Sequence, residues 1–326
     1  MKNIISQTIS SINRQYGEDI AIDANKDIDV EAITTGCYSF DKILGVQGIP
    51  LGKIIDLYGM ESQGKSTVAL HIVASFQKHN KEVAWLDFEQ CYSSKYAENL
   101  GVDNSRLVLI QPSFGEQGCN ILSDLINSGN FSLIVVDSTA AIVSEKEIEK
   151  DLGKDTIALQ ARLIGKTLRV IAAPCAKKNV TVLFISQLRN KVGLYCGSGT
   201  IATGGLSLKF YSSIRMRVKT VEKLKDKNGE IVGNKLNIKV EKNKIAKPFG
   251  ETEVDLYFQK GIDIISDLFD CALKENIITK EGMTYSFDGK KLASGRDATR
   301  NYLEENVEVF NKIKDQLINK DNFPAS

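Results

Sequence analysis

The sequence predicts an α/β fold: a mostly parallel central sheet with an antiparallel extension, preceded by an N-terminal helix and followed by a small α+β C-terminal domain. Three observations carry this. Short β-rich runs alternate with helical stretches from Val30 to about Asp263, the pattern of strand–helix–strand units. Residues 133–136 and 182–185 are apolar throughout, as central strands covered on both faces must be. Beyond Asp263 the pattern changes to an amphipathic helix, a short hairpin and two more helices.

The elements follow in order. Ile4, Ile5, Thr8, Ile9, Ile12 and Tyr16 recur at helical spacing, so residues 4–16 form a short amphipathic helix. The polar stretch 17–29 reads as a linker. A lone helix on a linker cannot bury its own stripe, so it docks on the core or on another subunit. Strands are expected at 54–58, 83–87, 107–110, 133–137, 181–186, 213–219 and 236–242, and helices at 65–79, 94–100, 115–128 and 157–178. Asp226 to Gly229 signal a hairpin turn, and Asp288-Gly289 a second one inside the C-terminal domain. There the expected helices are 264–275, 297–305 and 307–318, with strands at 283–287 and 291–293. The domains are therefore 1–29, 30–263 and 264–326.

Composition limits the function. The chain has 326 residues, 42% hydrophobic and 25% charged, which suits a globular protein and excludes a disordered or fibrous one. Net charge is +1, but residues 188–250 carry 14 Lys/Arg against 4 Asp/Glu, a net +10. A basic segment on a neutral chain is a polyanion footprint or a solvated basic hairpin. Six cysteines without a C-x-x-C pair, and two histidines, argue against a zinc site and a disulfide framework. No N-terminal apolar run suggests a signal peptide, and no 18-residue apolar stretch exists. A cytoplasmic protein with free thiols is expected.

Gly59-Met60-Glu61-Ser62-Gln63-Gly64-Lys65-Ser66 fits the phosphate-binding pattern G-x-x-x-x-G-K-[ST] between an expected strand and an expected helix. The glycines let backbone N–H groups close on phosphate oxygens, and the helix N-terminus adds its positive dipole end. Lys65 would reach the β- and γ-phosphates, and Ser66 would hold Mg²⁺. The apolar strand 133–136 ends in Asp137, the form of a Walker B carboxylate. Glu89 follows the strand Trp85-Leu86-Asp87 and is the candidate base for the attacking water. Gln187 ends the strand 181–186, where an amide can bond a γ-phosphate and report its loss to the Gly-rich, basic-rooted stretch 188–205. That stretch is too long for a tight connection and suits a segment ordered by a polyanion.

These pieces, in this order, resemble the bacterial RecA family of DNA-strand-exchange ATPases. The likeness runs from Ile12-Asn13-Arg14-Gln15-Tyr16-Gly17 through the P-loop, Leu100-Gly101-Val102-Asp103, Gly115-Glu116-Gln117, Val135-Val136-Asp137-Ser138, Gln187-Leu188-Arg189, Thr203-Gly204-Gly205 and Lys242-Asn243-Lys244-Ile245-Ala246, and weakly on to about Leu317. It implies a P-loop ATPase core of RecA type. Gly59, Glu61, Ser62, Gly64, Lys65, Ser66 and Thr67 bind ATP; Tyr96 stacks on adenine; Asp137 and Ser66 hold Mg²⁺; Glu89 is the base and Gln187 the γ-phosphate sensor. Lys242 and Lys244 reach the neighbouring subunit's ATP, and Phe210 lies at that boundary. Residues 150–157 and 188–205 resemble the two DNA loops, with Arg162, Arg169, Arg189, Gly204 and Gly205 at DNA-backbone contacts. The N-terminal helix docks on the next protomer.

The implied activity is an ATP-dependent homologous recombinase in DNA repair and the SOS response. It forms helical homo-oligomeric filaments on single-stranded DNA and pairs them with duplex. Two alternatives are a ring-forming motor of the same core and a DNA-binding filament protein that does not exchange strands. The N-terminal helix and second DNA loop argue against the first. Retention of Lys65, Glu89, Asp137 and Gln187 argues against the second. Departures are Ser93 for an adenine-contacting Asp, Gly199-Thr200 for Pro-Glu, Tyr195-Cys196 for Met-Phe and Leu206 for a DNA-contacting Asn. Met60 and Gln63 fall at permissive P-loop positions. The family's acidic tail is not present before Ser326, which implies readier duplex binding. Such departures fit a divergent copy, for example one from a mobile element or phage.

Overall fold

A computed structural model of the chain describes residues 2–17, 20–25, 30–148, 157–190, 200–202 and 205–321. It divides into two compact units, residues 1–31 and 32–326. In the first, α1 (Lys2–Tyr16) carries exposed Ile4, Ile5 and Tyr16. After it the chain turns back. The Asn13 amide donates to the Ala21 carbonyl at 2.9 Å and accepts from the Ala21 N–H at 2.7 Å.

The second unit opens with β1 (Ala32–Ile33), α2 (Tyr38–Leu44) and β2 (Ile49–Pro50), and then enters the central α/β pattern. There β3 (Ile54–Gly59), α3 (Lys65–Lys78), β4 (Val83–Asp87), α4 (Ser94–Asn99), β5 (Leu107–Ile110), α5 (Gly115–Ser128), β6 (Leu133–Asp137), α6 (Glu145–Ile148), α7 (Ile157–Lys178) and β7 (Thr181–Asn190) follow. Next come β8 (Thr200–Ala202), α8 (Gly205–Tyr211), β9 (Ile214–Lys225), β10 (Ile231–Asn243), β11 (Glu251–Tyr257) and β12 (Gly261–Ile262). The chain closes with α9 (Ile264–Lys274), β13 (Ile278–Glu281), β14 (Thr284–Phe287), β15 (Lys290–Ser294), α10 (Arg296–Glu305) and α11 (Val307–Lys320).

Ten of the described strands form one sheet in the order β12-β11-β10-β9-β3-β7-β6-β4-β5, with β8 paired to β7. From β9 to β5 neighbours run parallel, whereas β9 to β12 are antiparallel. The expected mixed sheet is therefore present. Alternation explains why its middle strands are apolar throughout. Ile55, Leu57, Leu133, Val135, Leu183 and Ile185 enter one core with α3, while Ile54, Ile134, Val136, Val182 and Phe184 enter a second with α7. Two-sided burial anchors the β3 and β6 C-termini, from which Gly59 and Asp137 emerge.

The outer strands differ from the expectation. β9 and β10 are longer than the expected runs, because they extend as a ribbon past the core to the turn, where the Gly229 N–H bonds the Asp226 carbonyl at 3.1 Å. β11 was not expected; its Thr252, Val254 and Leu256 alternate with charged residues, and only Val254 and Leu256 are buried. Part of the stretch expected as an open loop is a hairpin: Leu188, Arg189 and Asn190 pair with Ala202, Ile201 and Thr200.

The C-terminal segment builds a third core from Leu268, Phe269, Tyr285, Phe287, Leu303, Ile313 and Leu317, into which Tyr38 of α2 also packs. The Tyr38 hydroxyl donates to the Leu317 carbonyl at 3.2 Å, and Lys42 pairs with Asp321 at 2.9 Å. Its hairpin closes through Asp288 and Gly289, both at positive φ (48° and 74°), with Phe287 paired to Lys290. That is the two-residue turn which Asp-Gly favours.

Candidate active site

The loop from Gly59 to Gly64 joins β3 to α3. A Cβ at Gly59 would sit 2.3 Å from the Val218 carbonyl oxygen, so no side chain fits beside β9 there. Gly64 caps α3 at φ 80°, a left-handed conformation that glycine adopts without cost. No side chain caps this helix. Its first N–H groups are thus left for an outside acceptor, and an anion suits them best. The Lys65 ammonium lies over the loop and donates to the Met60 carbonyl at 2.7 Å. Gln63, at a position expected to be permissive, makes a bond outside the loop. Its Oε1 accepts the Thr220 N–H at 2.5 Å and ties the loop to β9.

Three strand ends bring the other groups to this loop. Asp137 ends β6, with the Ser66 side chain facing its carboxyl. Burial, and then the Glu89 charge, push that carboxyl up to about 7, against the Ser66 hydroxyl and the Lys65 charge. Burial pushes the Lys65 ammonium down, while Asp137, Glu89 and Glu61 oppose this. Glu89 leaves β4, is exposed, and accepts from the Ser138 hydroxyl and, at 3.1 Å, from the Gln187 amide. Asp87, level with Asp137 in the sheet, accepts the Tyr92 N–H and the Gln111 amide, each at 3.0 Å, and so fixes the segment carrying Glu89. Tyr96 of α4 is half-buried, its hydroxyl 2.9 Å from the Thr67 hydroxyl. Ser93 caps α4 by accepting the Tyr96 N–H at 3.4 Å.

Lys65, Ser66, Glu89, Asp137 and Gln187 therefore form one connected group, with Thr67 and Tyr96 beside it and Glu61 and Ser62 exposed on the loop. Sequence reasoning did not single out Ser138 as a partner of Glu89. The adjacent Asp137-Ser138 pair was visible, but no spacing rule says that the hydroxyl meets a carboxylate from another strand.

Lys242 and Lys244 are not part of this group. They sit at the end of β10 that is level with Ile55 and Ile214, four residues of strand, about 13 Å, from Gly59. There the Lys242 ammonium donates to the Lys209 and Phe210 carbonyls at 2.7 and 3.0 Å, and that of Lys244 to Phe210 at 3.2 Å, at the C-terminal end of α8. Phe210 is exposed beside a cleft of about 520 Å³ lined also by Lys53, Ala172, Ala176 and Lys244.

Of the candidate DNA contacts, Arg162 and Arg169 are exposed on α7, and the Arg169 Nε donates to the Gly165 carbonyl at 3.1 Å. Gly205 opens α8 at φ 72°, where a Cβ would lie 3.4 Å from Ala161 of α7. Arg189 lies in the β7–β8 hairpin. Gly204, Gly199, Tyr195, Cys196 and most of the stretch 150–157 lie outside the described residues.

Comparison with known proteins agrees with this arrangement. Residues 3–263 match the RecA N-terminal domain and residues 266–322 the RecA C-terminal domain. The chain is 42% identical over 322 residues to Protein RecA of Clostridium botulinum (strain Alaska E43 / Type E3), covering 98% of this chain and 90% of that one. It is 38% identical over 320 residues to Protein RecA of Phytoplasma mali (strain AT), covering 97% and 94%. Among solved structures, the crystal structure of the RadB recombinase is similar in fold, with a TM-score of 0.52 and 22% identity over 71% of this chain and 98% of that one.

Proposed function

The chain belongs to the RecA family, and from that premise we propose that the two groups of residues described above act on one ATP across a subunit boundary. The protein is a DNA-dependent ATPase and recombinase, and its family binds DNA and forms filaments. In our reading it polymerises on single-stranded DNA in the cytoplasm, pairs that strand with duplex, and hydrolyses ATP to release it.

The residues divide the work. The uncapped α3 N-terminus and the Gly59–Ser66 loop receive the triphosphate, Lys65 moves from the Met60 carbonyl to the phosphates, and Tyr96 lies against the base. Ser66 and Asp137 fit a Mg²⁺: the Ser66 side chain faces the Asp137 carboxyl, which is half-buried and whose charge burial and Glu89 disfavour. When bound, the ion would neutralise developing phosphate charge. Glu89 orients the attacking water and takes its proton. Lys242 and Lys244 are too far from their own loop, so they serve a neighbour. The exposed Phe210 supports a subunit boundary there, and the neighbour's α1 stripe has the apolar character to cover the adjoining cleft.

One observation carries the coupling to DNA. Gln187, at the root of the 188–205 stretch, holds the Glu89 carboxylate at 3.1 Å. A bond to the γ-phosphate would draw the Gln187 amide away and leave Glu89 free for water. The same movement changes the root of the DNA-facing hairpin. Strand exchange between circular single-stranded and linear duplex DNA, with ATP hydrolysis measured with and without the single strand, tests the reading. Rings instead of helical filaments in electron micrographs with ATPγS would overturn it.

A further inference from the structure

On β10, Leu236, Ile238 and Val240 all face the core shared with α3. A regular strand has period two, so Lys242 and Lys244 would face that core as well. They do not; their ammonium groups reach α8, whose Leu208 belongs to the opposite core. The reason is a β-bulge. Val240 pairs with Met216, but Lys242 already pairs with Arg215, so Glu241 is an extra residue opposite none. Met216 faces the first core, while Arg215 faces Asp56 on the other side, bonded at 2.8 Å. One inserted residue thus reverses the sidedness of everything after it, as bulges do.

The inserted residue is held firmly. The Tyr58 hydroxyl donates to one Glu241 carboxylate oxygen, and the Arg217 Nε lies 3.4 Å from the other. Tyr58 is itself gripped, with the Arg215 guanidinium 4.3 Å from its ring centroid. Burial, and then the bond to Glu241, push the Tyr58 phenol up, so its proton stays in place as the donor. Tyr58 directly precedes Gly59. The clamp therefore joins the strand that bears one protomer's P-loop to the strand that bears the lysines.

We propose that Glu241 is a positioning residue for ATP hydrolysis in the neighbouring protomer: its clamped bulge aims Lys242 and Lys244 out of the sheet toward that ATP. This rests on the reading that the two lysines act across the boundary.

Subunit mixing tests it in the full-length protein on single-stranded DNA. Glu241→Ala alone should lower ATP hydrolysis about tenfold or more, the scale of a small misplacement of a catalytic group. Glu241→Gln keeps an acceptor for Tyr58 and should stay within about threefold of the original, a loss of under 1 kcal/mol. Mixed with Glu89→Gln protomers, which bring intact lysines but no base, Glu241→Ala protomers should regain most of their hydrolysis. Lys242→Ala protomers mixed with the same partner should recover likewise. Recovery with Lys242→Ala but not with Glu241→Ala would overturn the proposal, because Glu241 would then serve its own P-loop or the fold. Recovery with neither would overturn the cross-boundary reading itself, and the proposal with it. If Glu241→Ala melts early, Tyr58→Phe removes only the donor hydroxyl and must show the same recovery.

Discussion

The two ends of the central sheet differ in how complete they are. At the β3, β4, β6 and β7 C-termini, Ser138 and Gln187 both donate to Glu89, and the Lys65 ammonium acts through its charge on Asp137 and Glu89, all within a single protomer. At the far end of β10, Lys242 and Lys244 have no carboxylate among their hydrogen-bond partners in the described residues; they rest on backbone carbonyls of α8. The first end brings its groups together within one chain. The second is a set of cations held by neutral carbonyls, which the proposed reading turns toward a neighbour's phosphates. In the proposed reading this contrast is the reason for assembly: one protomer holds only part of the chemistry.

The largest test acts on the assembled end. Glu89→Gln should lower ATP turnover about 10²–10⁴-fold, the contribution of a positioned base. ATP and DNA binding should persist, measured by fluorescent-nucleotide titration and filter binding. Equal turnover in variant and original would remove Glu89 from the reaction. The matching test at the far end is Lys242→Ala, expected to cost about 10²–10³-fold in turnover, as when one donor to a developing anion is lost. If ATP affinity of the unassembled protomer also collapsed, Lys242 would be serving its own site and the contrast would be wrong.

Assembly itself can be cut. Deleting residues 1–27 should leave residues 32–326 folded, because they form a compact unit by themselves. The truncated protein should bind nucleotide and lose filament growth in light scattering. Filaments of undiminished length would exclude α1 as the connecting element.

The pH dependence separates the ends further. Burial pushes the Lys242 ammonium down to about 8, helped by Lys244, Arg215 and Lys209. Its charge is present below that value and is lost as pH rises through it. Filament ATPase should therefore decline between pH 8 and about 10, shifted upward by the neighbour's phosphate charge. Lys242→Arg, which remains charged throughout, should remove the decline. A decline of unchanged shape in that variant would assign it to another group.

How far these ends were legible in sequence also differs. The P-loop requires given residue types at given spacing, because backbone must close on phosphate, so Gly59, Gly64, Lys65 and Ser66 could be read directly. Asp137 and Glu89 were readable from apolar strands that end in carboxylates. The fold's parallel half was legible for the same reason: two-sided burial leaves uninterrupted apolar runs. The far end was legible only through family resemblance. Glu241 as a bulge depends on where β9 stands opposite β10, and no local pattern in 231–243 states that register. The bonds of Gln63 to Thr220 and of Ser138 to Glu89 are hidden likewise, since each joins residues brought together only by the sheet.

The smallest expected effect concerns DNA and belongs to α7. Its N-terminal half lies at the assembled end, because α7 runs back along the sheet before β7 starts. Arg162 is exposed there and Arg169 just past the helix midpoint, two turns on, and phosphate contacts from either would release counterions without reading bases. Arg162→Ala should weaken single-stranded DNA binding about equally for all sequences and reduce the salt slope by roughly one unit. Arg169 already commits its Nε to the Gly165 carbonyl at 3.1 Å. Fewer of its N–H groups remain for phosphate, so Arg169→Ala should change the slope less than Arg162→Ala does. Fluorescence anisotropy with a labelled oligonucleotide, across a salt series, measures both. The reverse order would mean that the Arg169 side chain leaves its helix carbonyl when DNA binds. A sequence-dependent loss in either variant would mean that the arginine reads bases rather than backbone. Unchanged slopes in both would move the DNA surface off α7.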